Sequence, residues 1–247
     1  MRFAIFGDIH SNLHALEAVL AHARGLGCTH YVCTGDVVGY NAFPHECVDI
    51  VRSMECPVVK GNHDELASSD VLSEELSDGL NELAEEAIVW TRNHLDDADK
   101  QWLRDLRYKR QVRDFLVAHA TLDTPQGWGY IFNQLDAKTC FAYQTSPLCF
   151  IGHTHSPKLF VRESGTNEIV AKPFHSFSFQ PSSKYLVNVG SVGQPRDRDW
   201  RASYATFDVP TRTITNHRVE YDLAAAQAAV REAGLHEHLA ERLAQGR

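Results

Sequence analysis

Five short stretches of the sequence carry residues able to hold metal ions: Asp8-Ile9-His10, Gly35-Asp36, Gly61-Asn62-His63-Asp64, the single His119, and Gly152-His153-Thr154-His155. Carboxylate oxygens, imidazole nitrogens and an amide oxygen together suit manganese, iron, zinc, cobalt or nickel, and the set does not choose among them. Taken singly, each fragment has an ordinary explanation. Asp-x-His recurs by chance, Asn-His-Asp is turn-forming, and a histidine at a strand end commonly serves only a hydrogen bond. Five in order, four of them directly after a strand-like run, share no such explanation. Extended backbone alternates its faces, so Asp8 and His10 are expected on one side, as are His153 and His155, anchored about 6.5 Å apart at a rise of ~3.3 Å per residue. That separation would let the two imidazoles serve different ions of a pair lying ~3.5–4 Å apart.

These residues need elements to position them. "RFAIFGDI" is an apolar run of strand length, and "LHALEAVLAHARGLG" continues with apolar residues at helical spacing. "THYVCTGDVV" reads as a second strand, "PHECVDIVRSM" as a helix opened by Pro44, and "CPVVKGNHD" as a third strand. Such alternation predicts a parallel sheet of crossover units, with ligands beyond the carboxyl ends of the strands, where Asp8, Asp36 and Asn62 stand. Residues 64 to 106 read as a helical insertion, acidic at first, whose charges suit a solvated face. From "DFLVAHATL" onward, strands alternate with turns such as "SGTN" and "DVPT", as in antiparallel hairpins. The alanine-rich tail from 222 to 247 reads as a helix that packs on the rest. With no repeat and no linker, residues 1–247 are expected to form a single domain.

Composition narrows the function. The 247 residues are 43% hydrophobic, enough for a sizeable core, and the formal net charge of -8 argues against sequence-independent binding of extended nucleic acid. The apolar run before Asp8 is too short for a signal peptide, and no later stretch approaches the ~18 apolar residues of a membrane span. A cytoplasmic location without membrane partners is the expectation. Cys28, Cys33, Cys47, Cys56, Cys140 and Cys149 form no Cys-x-x-Cys pair and read as free thiols.

The ordered set Asp8-x-His10, Gly35-Asp36, Gly61-Asn62-His63-Asp64, His119 and Gly152-His153-Thr154-His155 resembles the calcineurin-like metallophosphoesterases over residues 1 to about 195. "GDVVGYNAFPHE" and "NVGSVGQPRD" further resemble a compact bacterial and archaeal subgroup that is phosphodiesterase-like or diadenosine-tetraphosphatase-like. The resemblance implies an α/β fold of four layers, two mixed β-sheets flanked by helices. It implies two divalent ions, one held by Asp8, His10, Asp36 and His155 and the other by Asp36, Asn62, His119 and His153, with Asp36 bridging. It makes His63 the catalytic residue that hydrogen-bonds the phosphoryl group or protonates the leaving oxygen. One departure stands out: related protein phosphatases carry a second aspartate where this chain has Gly39, which leaves the orientation of His63 without an assigned partner.

The implied activity is metal-dependent hydrolysis of phosphoric esters, diester or monoester, on small molecules or nucleotides. Nuclease activity and a catalytically silent scaffold are the competing readings. Asn12, at a helix start, suits an N-cap or a substrate contact. Arg196 suits a phosphate clamp or pairing with the aspartates of its own loop, and Trp128 and Tyr130 offer rings to a base.

Overall fold

The computed structural model describes residues 1–69 and 82–247. Its strands are β1 (Arg2–Phe6), β2 (His30–Cys33), β3 (Lys109–Val112), β4 (Phe115–Ala118), β5 (Leu148–Ile151), β6 (Lys158–Arg162), β7 (Ile169–Lys172), β8 (Ser176–Ser178), β9 (Lys184–Asn188), β10 (Ala202–Asp208) and β11 (Thr213–Val219). The described helices are α1 (Leu13–Gly25), α2 (Pro44–Ser53), α3 (Asn62–Ser68), α4 (Glu82–Asn93), α5 (Asp97–Arg104), α6 (Gln134–Tyr143), α7 (Leu223–Glu232) and α8 (Glu237–Gln245).

Two mixed sheets form, ordered β2-β1-β10-β11-β8 and β3-β4-β5-β9-β6-β7. Apolar residues on both faces of a strand require a partner layer on each side, and the alternation sorts them. Phe3 and Ile5 of β1, Phe115 and Val117 of β4, Leu148 and Phe150 of β5, and Phe207 of β10 share the core between the sheets. Their neighbours Ala4 and Phe6 turn outward to Leu16 and Val19 of α1, Val48 of α2, Val230 of α7 and Leu239 of α8. Leu116, Cys149 and Ile151 turn outward on the other sheet to Ala137, Cys140 and Phe141 of α6. The result is the α/β four-layer sandwich of two mixed sheets flanked by helices.

Three local expectations change. In the first half only β1 and β2 pair in parallel, because β10 returns antiparallel beside β1 with Ala4 opposite Thr206. The run of three parallel strands is β4-β5-β9, in the half that read as hairpins. The third strand expected at "CPVVKGNHD" shortens to single bridges, Val58 with Cys33 and Val59 with Arg107, since each neighbour offers only one residue of ladder. Part of the helical insertion, residues 70–81, lies outside the described residues.

Candidate metal centre

Four of the motifs follow a strand end and Gly61–Asp64 follows the bridge residues Val58 and Val59, but no ligand-type residue continues a strand. Asp8, His10, Asp36, His153 and His155 all have left-handed backbones, with φ between 46° and 71°. Such conformations cost on the order of 1–3 kcal/mol each in non-glycine residues. The alternation expected for Asp8/His10 and His153/His155 therefore does not apply; tight turns rather than pleated backbone aim these side chains. The loops brace one another: Asp8 N–H donates to Gly35 O at 2.8 Å, and Ile9 and His10 N–H donate to Asp36 O at 2.8 and 3.0 Å. His153 N–H donates to the Asp8 carboxylate at 3.1 Å.

The side chains converge in two groups that share Asp36: Asp8, His10, Asp36 and His155, and Asp36, His119 and His153. All are at most 4% exposed. Asn62 joins the second group, its Oδ1 3.3 Å from His119 Nε2.

Four of the histidines are held in one tautomer. A backbone carbonyl can only accept, so the ring nitrogen facing it carries the proton. His10 Nδ1 donates to Val38 O (3.1 Å), His119 Nδ1 to Thr34 O (2.8 Å), His155 Nδ1 to Gln194 O (2.6 Å) and His153 Nε2 to Trp128 O (2.8 Å). The opposite nitrogen of each ring then presents a lone pair to the cluster, the arrangement used by metal-ligating histidines. Two pairs of these nitrogens face each other, His10 Nε2 and His155 Nε2 at 3.1 Å and His119 Nε2 and His153 Nδ1 at 3.2 Å. Asp36 Oδ1 accepts the His63 N–H at 2.9 Å, while Oδ2 is buried without a hydrogen-bonding partner, 3.3 Å from His119 Nε2 and 3.6 Å from His10 Nε2. Converging lone pairs and a buried, unsatisfied carboxylate oxygen are what a divalent cation would satisfy, so the residues present fit one.

Burial alone would lower the His119 pKa, but the charge and hydrogen bonding of Asp36, the charge of Asp8 and the hydrogen bond to the Thr34 carbonyl together outweigh burial and raise it to about 9. Burial lowers His153 to about 3 and holds His10 and His155 well below the usual histidine range. It lifts Asp8 to about 7. Asp36 stays below the usual carboxylate range because His119 and His63 outweigh its burial.

His63 lines a cavity of about 160 Å³ beside the cluster, with Tyr40, Asn62, Tyr130, Arg196 and Arg242 also in its walls. Its pKa is lowered to about 4 by burial. No hydrogen bond orients its Nδ1, which is buried without a partner. Packing does the orienting, through Tyr40 (centroids 4.5 Å apart) and His10 (4.7 Å). Gly39, at φ +102°, completes the seat: a Cβ there would lie 2.5 Å from His63 Nδ1. The position occupied by aspartate in the protein phosphatases is thus used here for close approach.

A model of the calcineurin-like phosphoesterase superfamily domain matches residues 1–212. The chain belongs to that superfamily. It is 37% identical to an uncharacterized protein of Methanocaldococcus jannaschii over 99% of this chain and 98% of that one. The crystal structure of a metallophosphoesterase from Sphaerobacter thermophilus is 38% identical and superposes with a TM-score of 0.86, covering 100% of this chain and 99% of the other. A hypothetical protein of Pyrococcus horikoshii OT3, at 18% identity, shares the fold with a TM-score of 0.80 over 100% and 98% of the two chains. Calcineurin-like phosphoesterases are metal-dependent, and the buried His/Asp groups supply the means here.

The remaining sequence expectations sort as follows. Asn12 caps α1, its Oδ1 accepting from Ala15 N–H at 3.1 Å, while its Nδ2 donates to Gly193 O at 3.0 Å. It is 1% exposed, is not among the residues lining the cavity, and has both its side-chain oxygen and nitrogen engaged by the framework. Arg196 lines the cavity, and the loop aspartates pair elsewhere, Asp197 with Arg218 and Asp199 with Arg201. Trp128 is engaged by its indole, which donates to Glu65 at 3.1 Å. Tyr130 stacks on His153 with centroids 4.1 Å apart and stays 47% exposed. All six cysteines are free. A third grouping, His45, Asp49 and Asp99, is shared with Arg52, which contacts both aspartates, and joins α2 to α5. Sequence reasoning did not single out Tyr40 or Arg242, which line the cavity, and read Asp64 only as a helix start.

Proposed function

We propose that this calcineurin-like phosphoesterase hydrolyses phosphoric esters of small molecules or nucleotides, using two divalent ions. One set of ligands is Asp8, His10, Asp36 and His155, the other Asp36, Asn62, His119 and His153, and Asp36 is common to both. The observation that carries this reading is that His119 Nε2 and His10 Nε2 lie 3.3 and 3.6 Å from the unsatisfied Oδ2 of Asp36, with a nitrogen of His153 and of His155 3.2 and 3.1 Å from these two in turn. When bound, such ions lower the pKa of water to near neutrality and take up charge from phosphoryl oxygens.

The protein's own groups then divide the work. The backbone carbonyls of Val38, Thr34, Gln194 and Trp128 keep each imidazole in the tautomer that presents a lone pair. With Nδ1 of His63 buried against Gly39, its Nε2 is the ring nitrogen left for a phosphoryl oxygen or a leaving oxygen. Burial of the cluster removes competing water and strengthens each electrostatic contact. A cytoplasmic location remains part of this reading; among the described residues no helix is long and apolar enough to cross a membrane.

The test is metal removal and return. Exhaustively chelated protein should not hydrolyse p-nitrophenyl phosphates, nucleotides or cyclic nucleotides, and one or more of manganese, iron, zinc, cobalt and nickel should restore turnover. Full activity in demetallated protein would overturn the proposal.

A further inference from the structure

One carboxylate outside both ligand groups ties together the parts that carry the second of them. Glu65 lies on α3 three residues after Asn62, on the same side of the helix. Its Oε2 accepts the indole N–H of Trp128 at 3.1 Å, and its Oε1 accepts the Tyr108 hydroxyl. Glu65, Trp128 and Tyr108 are all half-buried.

Trp128 in turn touches both imidazoles of the second group. Its carbonyl accepts from His153 Nε2 at 2.8 Å, and its ring meets that of His119 edge-on, with centroids 5.8 Å apart. Two residues further on, Tyr130 stacks on the face of His153 at 4.1 Å. The segment that grips His153 by edge and face is irregular chain between β4 and α6, apart from one 3₁₀ turn at Pro125–Gly127. Trp128 ends that turn with φ 50° and ψ 36°, a left-handed conformation unfavourable in a residue with a side chain. Such a conformation persists where surrounding contacts over-determine it, and the bond to Glu65 is one of them. His10 and His155, in the other group, are oriented from elsewhere, by the carbonyls of Val38 and Gln194.

We infer that Glu65 is a positioning residue for the second divalent ion. Through the Trp128 indole it fixes the carbonyl that orients His153 and the ring that backs His119, from the same helix that presents Asn62. The inference rests on the two-ion reading above and adds to it a residue outside both ligand sets. A group that fixes the direction of a metal-ligating histidine raises metal affinity, and its loss typically costs about 10–100-fold. Because the grip of Trp128 is on His119 and His153, that loss should fall on one ion of the pair.

The experiment titrates metal-free protein with Mn²⁺, reading free metal by electron paramagnetic resonance. Wild type should bind two ions. Glu65→Ala should leave the affinity for one ion within about threefold of wild type and weaken the other about 10–100-fold. Glu65→Gln, which keeps one acceptor oxygen, should recover part of that loss. Trp128→Phe, which keeps the carbonyl and a ring but lacks the N–H, should reproduce it, and adding Glu65→Ala should cost little more, as for two members of one contact. Tyr108→Phe removes the other donor to Glu65 and should change neither affinity by more than about threefold. A loss in Tyr108→Phe as large as in Glu65→Ala would make the cluster a general brace and overturn the inference. Equal weakening of both ions, or wild-type affinities in Glu65→Ala or Trp128→Phe, would do the same. Wild type that binds fewer than two ions would instead defeat the two-ion reading. The hold on His153 is then judged by nuclear magnetic resonance of metal-free protein. Its Nε2–H signal should be protected from exchange with water in wild type and Tyr108→Phe, and lose protection in Glu65→Ala and Trp128→Phe. Equal protection in all of them, or none in wild type, would overturn the inference.

Discussion

The carboxylate of Asp64 accepts the backbone N–H of Asp36 at 2.9 Å. It also accepts the N–H groups of Val37 (2.8 Å), Val38 (3.3 Å) and Gly61 (3.0 Å), so one buried side chain of α3 holds two ligand-bearing loops together. Asp64→Ala would strand those donors without water. Leaving a buried donor unsatisfied costs about 1–3 kcal/mol, and with partial relaxation we expect a loss of about 2–4 kcal/mol in urea unfolding of metal-free protein. Metal content should fall as well. Unchanged stability together with unchanged metal content would remove Asp64 from this role.

Asp36 is common to both groups, whereas His10 belongs to one. Asp36→Ala should therefore reduce occupancy at both positions and His10→Ala mainly at one. Elemental analysis after reconstitution reads the difference, and full two-metal loading of Asp36→Ala would exclude the bridge.

His63→Ala should keep its metals while kcat falls by ~10²–10⁴, the range for removing a general acid. A donor to the leaving group matters least when that group is nitrophenolate and most when it is an alkoxide, so the loss should be larger on alkyl esters. Gly39→Ala tests the same residue indirectly: its Cβ would collide with His63 Nδ1, and φ there is +102°. It should approach the His63→Ala phenotype with metals retained. Wild-type kcat in both variants would show that the ring has no part in the reaction.

His217 supplies a pH prediction away from the centre. Burial, with His22 and His175 as further like charges, lowers its pKa to about 4, below the usual histidine value of about 6.5. Between those values the unfolded chain binds more protons than the folded one, so stability falls as pH drops from about 6.5 towards 4. The ring packs on Tyr204 and accepts or donates one hydrogen bond with Thr206. In His217→Gln the melting temperature should decline less steeply through that window; an identical slope would locate the acid sensitivity elsewhere.

Ligand-type residues were legible because chemistry restricts them to few types, and strand ends were legible because the apolar runs preceding Asp8, Asp36 and His153 stop abruptly at glycine. The fold followed from runs buried on both faces. What the sequence hid was backbone and distance. Nothing in Asp-Ile-His marks Asp8 and His10 as left-handed; their loop is held by backbone hydrogen bonds to residues 35–37. The strand β8 is three residues of alternating serine and phenylalanine on an exposed edge, too short for a periodic signal. Arg242 is one arginine in an amphipathic tail; only the docking of Gly246 onto the loop at Arg198 and Asp199 gives it an address. Asp64 reads as an ordinary first-turn acid until the loop above it is seen.

The pairing of β1 with β10 sets Arg2 opposite Asp208, and the loop after β1 is tied by Asp8 O to Ser191 Oγ and Gly193 N–H. During synthesis, the first ligand-bearing loop emerges long before the strand that flanks it. The centre can therefore close only after some two hundred residues are available. Contacts of such sequence separation make folding slow and leave early strands exposed in the interim. On the proposed ligand sets, Asp8 and His10 would be made first as an unfinished pair, so metal loading should follow folding rather than guide its beginning.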